Sequence, residues 1–331
     1  MSLLHGRPVS LTVHEIRPRA RQVAEEAQHV GVVQNRVVEL AQAFEMPPGP
    51  HGIGKPLDLD LRFAGEAHAE IAYCVTLAAV RFGSGYHQKL TKRTGLSVGQ
   101  TLVRALADEF VRNGPPTAAD LKRVASGDCA RWFGQDPNEP AHVELMDLFA
   151  RSLRDLGTTL VEHHGGRFED LIGAANGSAA RLVEILARMP FFNDVQRYRG
   201  LEVPFFLRAQ ALAIELAQTF ELSGFGAFDD LDTLAPSADS VVPHVLRVDG
   251  VIRYERGLIE RIDRGEPVPA HTEREVEIRA AAVYAVDSIA TQLRSSGVTV
   301  TDVQVDTWLR ARGRAPAYRA KPRHRSRTVL Y

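Results

Sequence analysis

From about Pro18 onward the apolar residues of this chain recur at helical spacing, and almost nowhere do they alternate as in a strand. Val37, Leu40, Ala41 and Phe44 fall at i, i+3, i+4 and i+7, closing a helical pattern predicted over 18–44 that also takes in Val23, Ala27 and Val30. The Pro/Gly-rich stretch 46–56 then breaks it. Further helices are predicted near 65–80, 98–111, 118–124, 141–163 and 178–189, the last with a face of Leu182, Ile185, Leu186 and Met189. Pro204 suits a first helical position ahead of a helix over 205–220. Thr272-Glu-Arg-Glu275 reads as a capping box opening a long helix to about Leu293. Only 57–61 and 298–305 offer strand patterns, and both are short and isolated. There is no internal repeat. The expectation is an all-α, multi-helix single domain over 1–331, divisible into lobes 1–135 and 136–331.

Composition narrows function mostly by exclusion. Forty basic residues nearly cancel forty-one acidic ones, so net charge predicts neither nucleic acid nor membrane as a global partner. Two cysteines, Cys74 and Cys129, cannot build a tetrahedral zinc site alone and imply no disulfide scaffold. The first residues lack the apolar core of a signal peptide, and no run approaches the roughly 20 apolar residues of a membrane span. The chain therefore reads as cytoplasmic.

Two motifs fail on context. Gly49-Pro-His-Gly-Ile-Gly54-Lys55 has the glycine and lysine spacing of a phosphate loop. However, Pro56 stands where a magnesium-binding hydroxyl is needed, and a helical stripe precedes it instead of a strand. His163-His164-Gly165-Gly166 has no further ligands at metal spacing and reads as a helix end, with histidines at the negative pole and glycine as the stop.

Three segments ask for more than packing. Arg208 lies three residues after Phe205 and four before Leu212, on the apolar face of its helix; a buried anion must meet it, either a structural carboxylate or a substrate. Asp239 follows the acidic stretch Phe228-Asp-Asp-Leu-Asp and precedes an apolar segment containing Pro243 and His244. An N-cap is one reading. The other is a carboxylate that stabilises positive charge on a ribose as an N-glycosidic bond breaks. The tail from Arg310 to Arg327 carries eight Lys or Arg and no acid, then ends Thr-Val-Leu-Tyr331, residues that favour burial. A docked tail brings arginines that can contact phosphate.

These segments are also the ones that resemble the queuosine-salvage family. Similar in wording and order are Arg19–Ala27, His164-Gly-Gly-Arg-Phe, Pro190-Phe-Phe-Asn-Asp-Val, Arg208-Ala-Gln, Ala238-Asp239, Glu273-Arg-Glu-Val-Glu-Ile-Arg279 and His324-Arg-Ser-Arg327. The resemblance implies an all-helical architecture like that of DNA glycosylases, and hydrolysis of queuosine 5′-monophosphate to queuine and ribose 5-phosphate without metal or organic cofactor. It assigns Asp239 as the catalytic aspartate, a role compatible with capping. The chain departs from the family pattern at Ser240 and Val241, where Tyr-Arg is usual, and at His244, where glutamine is usual. It departs again at Leu207, often a lysine that serves the 5′-phosphate, and in the form of Phe82-Gly-Ser-Gly-Tyr86. Either Arg208 or a tail arginine such as Arg327 then takes the phosphate, or the ligand is another modified nucleoside.

The combined reading is an N-glycosidase with Asp239 opposite the anomeric carbon, Arg208 at the anionic end, and Tyr86, Asp230, His244, Arg327 and Tyr331 around the substrate. A glycosylase acting on polynucleotide would instead show a basic groove and steeply salt-dependent binding. A non-catalytic helical binding protein would hydrolyse nothing.

Overall fold

The computed structural model describes residues 11–54, 63 and 66–331. In chain order the elements are α1 (Ile16–Glu26), β1 (Val30–Val32), α2 (Gln34–Gln42), α3 (Ala67–Val80), α4 (Val98–Asn113), α5 (Ala118–Leu121), α6 (Ser126–Phe133) and α7 (Pro140–His163). There follow α8 (Phe168–Gly173), α9 (Ala179–Leu186), β2 (Val195–Tyr198), β3 (Leu201–Pro204), α10 (Leu207–Thr219), α11 (Val242–Val248) and β4 (Ile252–Tyr254). The chain closes with α12 (Arg256–Asp263), α13 (Glu273–Ser295), α14 (Asp302–Arg312) and α15 (Pro316–Arg319). The fold is mostly helical, as the periodicity predicts, with two small antiparallel ribbons, β1–β4 and β2–β3. No helix among the described residues is long and apolar enough to cross a membrane.

Two apolar clusters hold the helices. The first gathers Ile71, Phe149, Leu182 and Leu212 from α3, α7, α9 and α10. The second gathers Val37, Val245, Val286 and Leu309 from α2, α11, α13 and α14. Helix α13 serves both, sending Val276, Ala280 and Val283 into the first and Ile278, Ala281 and Ala285 into the second. It is packed by α1, α2, α11 and α14, and small side chains along 280–282 suit a helix surrounded on several sides. Cys74 and Cys129 are both free and buried.

The structure corrects the predicted elements at four places, each for a physical reason. The long helix over 18–44 is two helices around β1, because Glu277 of α13 accepts the backbone N–H groups of Gln28, His29 and Val30 at 3.1, 2.7 and 3.1 Å. Pro204 ends β3 opposite Val195, and α10 begins only after Phe206, whose φ of 45° is left-handed. The segment predicted to extend over 298–305 instead enters α14 through a capping box, Thr301 accepting from Gln304 N and Gln304 from Thr301 N. Thr272 does precede α13, but its hydroxyl donates to the Pro269 carbonyl at 2.8 Å and caps nothing. The other strand candidate, 57–61, lies outside the described residues.

The discarded motifs settle as helix punctuation. Residues 49–54 follow α2, and their carbonyls receive Gln304 Nε2 at His51 and Gln218 Nε2 at Ile53, at 2.6 and 2.5 Å. His164 ends α7, with its N–H and that of Gly166 both donated to the Leu160 carbonyl.

Candidate active site

Asp239 stands just before α11. Its Oδ1 accepts the N–H groups of Val241 and Val242 at 2.8 and 3.3 Å; the N-cap position itself is Val241, so Asp239 stands two residues ahead of it and closes the turn into the helix. Its Oδ2 meets Arg310 Nη1 at 2.9 Å, and the same guanidinium holds Asp306 through Nε at 2.8 Å. The side chain is only 18% exposed. Burial pushes its pKa up, but the Arg310 charge and the two backbone donors outweigh burial and hold it below the ordinary value. Asp306 is pushed the other way, by burial, with the Asp239 charge adding to the rise that Arg310 opposes. One cation thus sits between two carboxylates, with Asp239 the more acidic of the two.

The residue before Asp239 is fixed from below. Arg279 of α13 is fully buried and donates from Nε to the Ala238 carbonyl at 2.8 Å. Its two Nη atoms grip Asp194 at 2.9 and 2.5 Å, a two-point ion pair. The guanidinium also lies over the Phe205 ring at 4.0 Å and the Tyr331 ring at 4.9 Å. Asp194 accepts the Leu207 N–H at 3.3 Å as α10 starts. The scattered segments Asn193-Asp194, Ala238-Asp239, Glu275–Arg279 and the chain's last residues therefore meet in one network.

Around it lie buried polar atoms with no hydrogen-bond partner: Asn193 Oδ1, both Glu275 oxygens, His244 Nδ1, both His324 ring nitrogens, Ser326 Oγ and the Tyr331 hydroxyl. Tyr331 lies within interaction reach of both Glu275 and Ser326. His324 is 2% exposed and interacts with Asp239, His244 and Arg279; burial pushes its pKa down to about 3, so the ring is neutral at pH 7. His244 is bound through Nε2 to the Tyr318 carbonyl at 2.9 Å, and burial lowers its pKa too. Polar atoms in folded interiors are nearly all hydrogen-bonded, so each of these calls for an explanation.

The residues singled out from sequence divide accordingly. Asp239, His244 and Tyr331 share this network. Tyr86 and Arg327 form a neighbouring patch: the Tyr86 hydroxyl donates to Glu144 at 2.6 Å, and the Arg327 guanidinium lies 5.2 Å from the Tyr86 ring centroid and 3.7 Å from Glu144. Gly83 N donates to the Tyr331 main-chain oxygen at 3.0 Å, so the tail end docks against this turn. Asp230 caps α9, accepting from Ser178 Oγ, Ala179 N and Ala180 N at 2.6, 2.5 and 3.3 Å. Arg208 is buried as its helical position requires, yet its acceptors are neither a carboxylate nor an exposed anion. They are the carbonyls of Ala78 and Ala79 at the end of α3 and of Phe191, with the guanidinium 4.7 Å from both the Phe82 and Phe192 rings.

Sequence reasoning did not single out Arg310, Asp306, Arg279, Glu275, Asp194 and His324. The pairs Glu275–Arg279 and Asp306–Arg310 carry the i,i+4 spacing of opposite charges, and Arg279 sits among apolar neighbours, the available signal for a buried pair. Among the described residues His29, Glu273 and Glu277 lie close enough to share a cation, but each is engaged with protein partners: Glu255, Arg199, and three N–H groups with Tyr198. A hollow of about 420 Å³ opens between His51, Phe228, Asp229, Leu231, Asp232 and the start of α14, and another of about 180 Å³ beside Arg93 and Trp132; neither Asp239 nor Asp230 lines either of them.

Comparison with known proteins gives this network its context. The family model of the queuosine salvage protein matches residues 78–331. The chain is 34% identical over 317 residues to a protein of Sphaerobacter thermophilus named queuosine 5′-phosphate N-glycosylase/hydrolase, covering 94% of this chain and 96% of that one. A Dictyostelium discoideum protein of the same name is 32% identical over 233 residues, 70% of each chain. One from Mus musculus is 27% identical over 282 residues, 82% of this chain and 79% of its own. With a match of this extent, running through the segments that converge on Asp239, the chain belongs to the queuosine salvage protein family.

Proposed function

We propose that this protein is a cytoplasmic N-glycosyl hydrolase that cleaves queuosine 5′-monophosphate to queuine and ribose 5-phosphate, so that the base can be reused in tRNA modification. Support comes from the relatives' shared name and from one observation above all: Asp239 is sheltered yet held ionised by Arg310 and two backbone donors.

The chemistry follows from that carboxylate. As the bond from C1′ to the base nitrogen lengthens, its electron pair leaves with the base and the ribose ring gains positive charge. A fixed anion opposite C1′ stabilises that charge without having to reorganise, and can orient water toward the carbon. Water supplies hydroxyl to C1′ and, by way of solvent or a neighbouring group, a proton to the departing base. His324, neutral at pH 7, interacts with Asp239 and offers ring nitrogens for hydrogen bonds there, with His244 next to it. The partner in this reading is a mononucleotide, with neither membrane nor nucleic acid strand involved.

The test is to incubate the protein with queuosine 5′-phosphate, queuosine and ordinary nucleotides, and look for free base by mass spectrometry. Queuine should appear from the modified nucleotide, and Asp239→Asn should lower its rate by about 10²–10³ or more, the cost of losing one dominant electrostatic stabiliser. Folded wild-type protein that releases no base from any modified nucleotide would rule the reading out.

A further inference from the structure

The tail arginines are not equivalent. Arg310 and Arg312 pair with Asp239 and Asp249, and Arg327 pairs with Glu144. Between these, Arg323 and Arg325 form no ion pair with any described residue. Arg323 is exposed, but Arg325 is half-buried and its Nη1 is wholly shielded without an acceptor. A solvated basic tail would leave every guanidinium nitrogen in water, and here one is not.

The stretch is held in place from several sides. Arg247 donates to the Pro322 carbonyl at 2.7 Å, Val268 N donates to the Arg325 carbonyl at 2.8 Å, and the Ser326 backbone lies directly on Gly85. So fixed, Arg323 and Arg325 lie within electrostatic reach of each other and of the half-buried His87 ring, two residues beyond Gly85. His324, between them in sequence, interacts with both Asp239 and Arg323. Like charges gathered with a buried donor unspent are costly unless an anion joins them. A phosphate monoester, with several acceptor oxygens and up to two charges, suits a pair of guanidinium groups. On the α10 side Leu207 is apolar, and Arg208, although its Nε is also buried without an acceptor, directs both Nη atoms at main-chain carbonyls.

We propose that Arg323, Arg325 and His87 form a subsite for the terminal phosphate of a mononucleotide whose sugar lies against Asp239. This rests on the N-glycosidase reading for its substrate, but the anion site can be tested without catalysis. Inorganic phosphate is titrated calorimetrically at constant ionic strength into wild type, Arg325→Gln and Arg323→Gln, with folding checked by circular dichroism. Phosphate should bind wild type and bind each variant about tenfold or more weakly, as for loss of a charge-assisted hydrogen bond. In kinetics, KM for queuosine 5′-phosphate should rise by a similar factor relative to KM for queuosine, with kcat less affected. Arg323 is exposed, so its variant keeps the test valid should Arg325→Gln fail to fold. Equal phosphate binding in wild type and variants, or none in wild type, would overturn the proposal, as would tighter competition by single-stranded RNA than by a phosphate monoester. Absence of hydrolysis alongside Arg325-dependent phosphate binding would sink the enzymatic reading and leave the anion site standing.

Discussion

At Asp239 one oxygen accepts two N–H groups of the turn into a short helix and the other meets a guanidinium, so the same interactions that settle the local backbone also keep the carboxylate charged. Burial alone would protonate it more readily; Arg310 is the main opposing influence. Replacing Arg310 with Gln should therefore move the acid limb of the activity profile to higher pH, because Asp239 must be ionised to act, while Arg310→Lys should largely restore it. A pH–rate profile with an unmoved acid limb would show that Arg310 does not set the ionisation of Asp239. His324 gives a stability counterpart. Its folded pKa, about 3, lies far below the ordinary 6.5, so between these values the unfolded chain binds more protons and acid destabilises the fold. The contribution is fully present above about pH 6.5 and falls by about 2 kcal/mol between pH 7 and 5. Urea unfolding at both pH values should show that the loss on acidification is smaller by about that amount in His324→Gln.

Elements are joined by devices that reach across the sequence. Asp230 caps α9 from 50 residues away, Glu277 stops α1 from α13, and Asp194 receives the first N–H of α10. The tail is the most conditional of these joints, because it depends on a missing side chain. A Cβ on Gly85 would fall 2.3 Å from the Ser326 carbonyl oxygen and 2.7 Å from Arg327 N, both backbone atoms with little freedom to yield. Gly85→Ala should cost about 1–3 kcal/mol and loosen the last residues. Limited proteolysis would register this as faster loss of the tail, and a melting temperature like that of wild type would argue against the docking described.

On the scale of the whole molecule, α13 and its buried Arg279 join the two apolar clusters to the site. Arg279→Met would leave Asp194 as a buried, unpaired charge and free the Ala238 carbonyl, a loss of about 3–5 kcal/mol. Equilibrium unfolding should show that loss, and a double replacement with Asp194→Asn should recover part of it. If the single variant is as stable as wild type, Arg279 is not the anchor of the site.

The sequence by itself determined the helical class and most of the helices, since 3.6-residue periodicity is a property of short stretches, and its family resemblance pointed to Asp239. It also showed that Arg208 had to be buried, and that the Thr-Val-Leu-Tyr end had to dock. Only the tertiary structure decided who meets whom. Arg208 finds three carbonyls, Asp230 finds the start of α9, and Asp239 finds Arg310, a residue that in the sequence looks like one more cation of a basic tail. The helix break at Ala27 and the late start of α10 were hidden for the same reason. Their causes, Glu277 and Asp194, lie 248 and 13 residues away from the N–H groups they bind. Periodicity reports how a segment matches itself; the partner of a buried polar group is chosen by the packing of distant segments, and no local pattern encodes that choice.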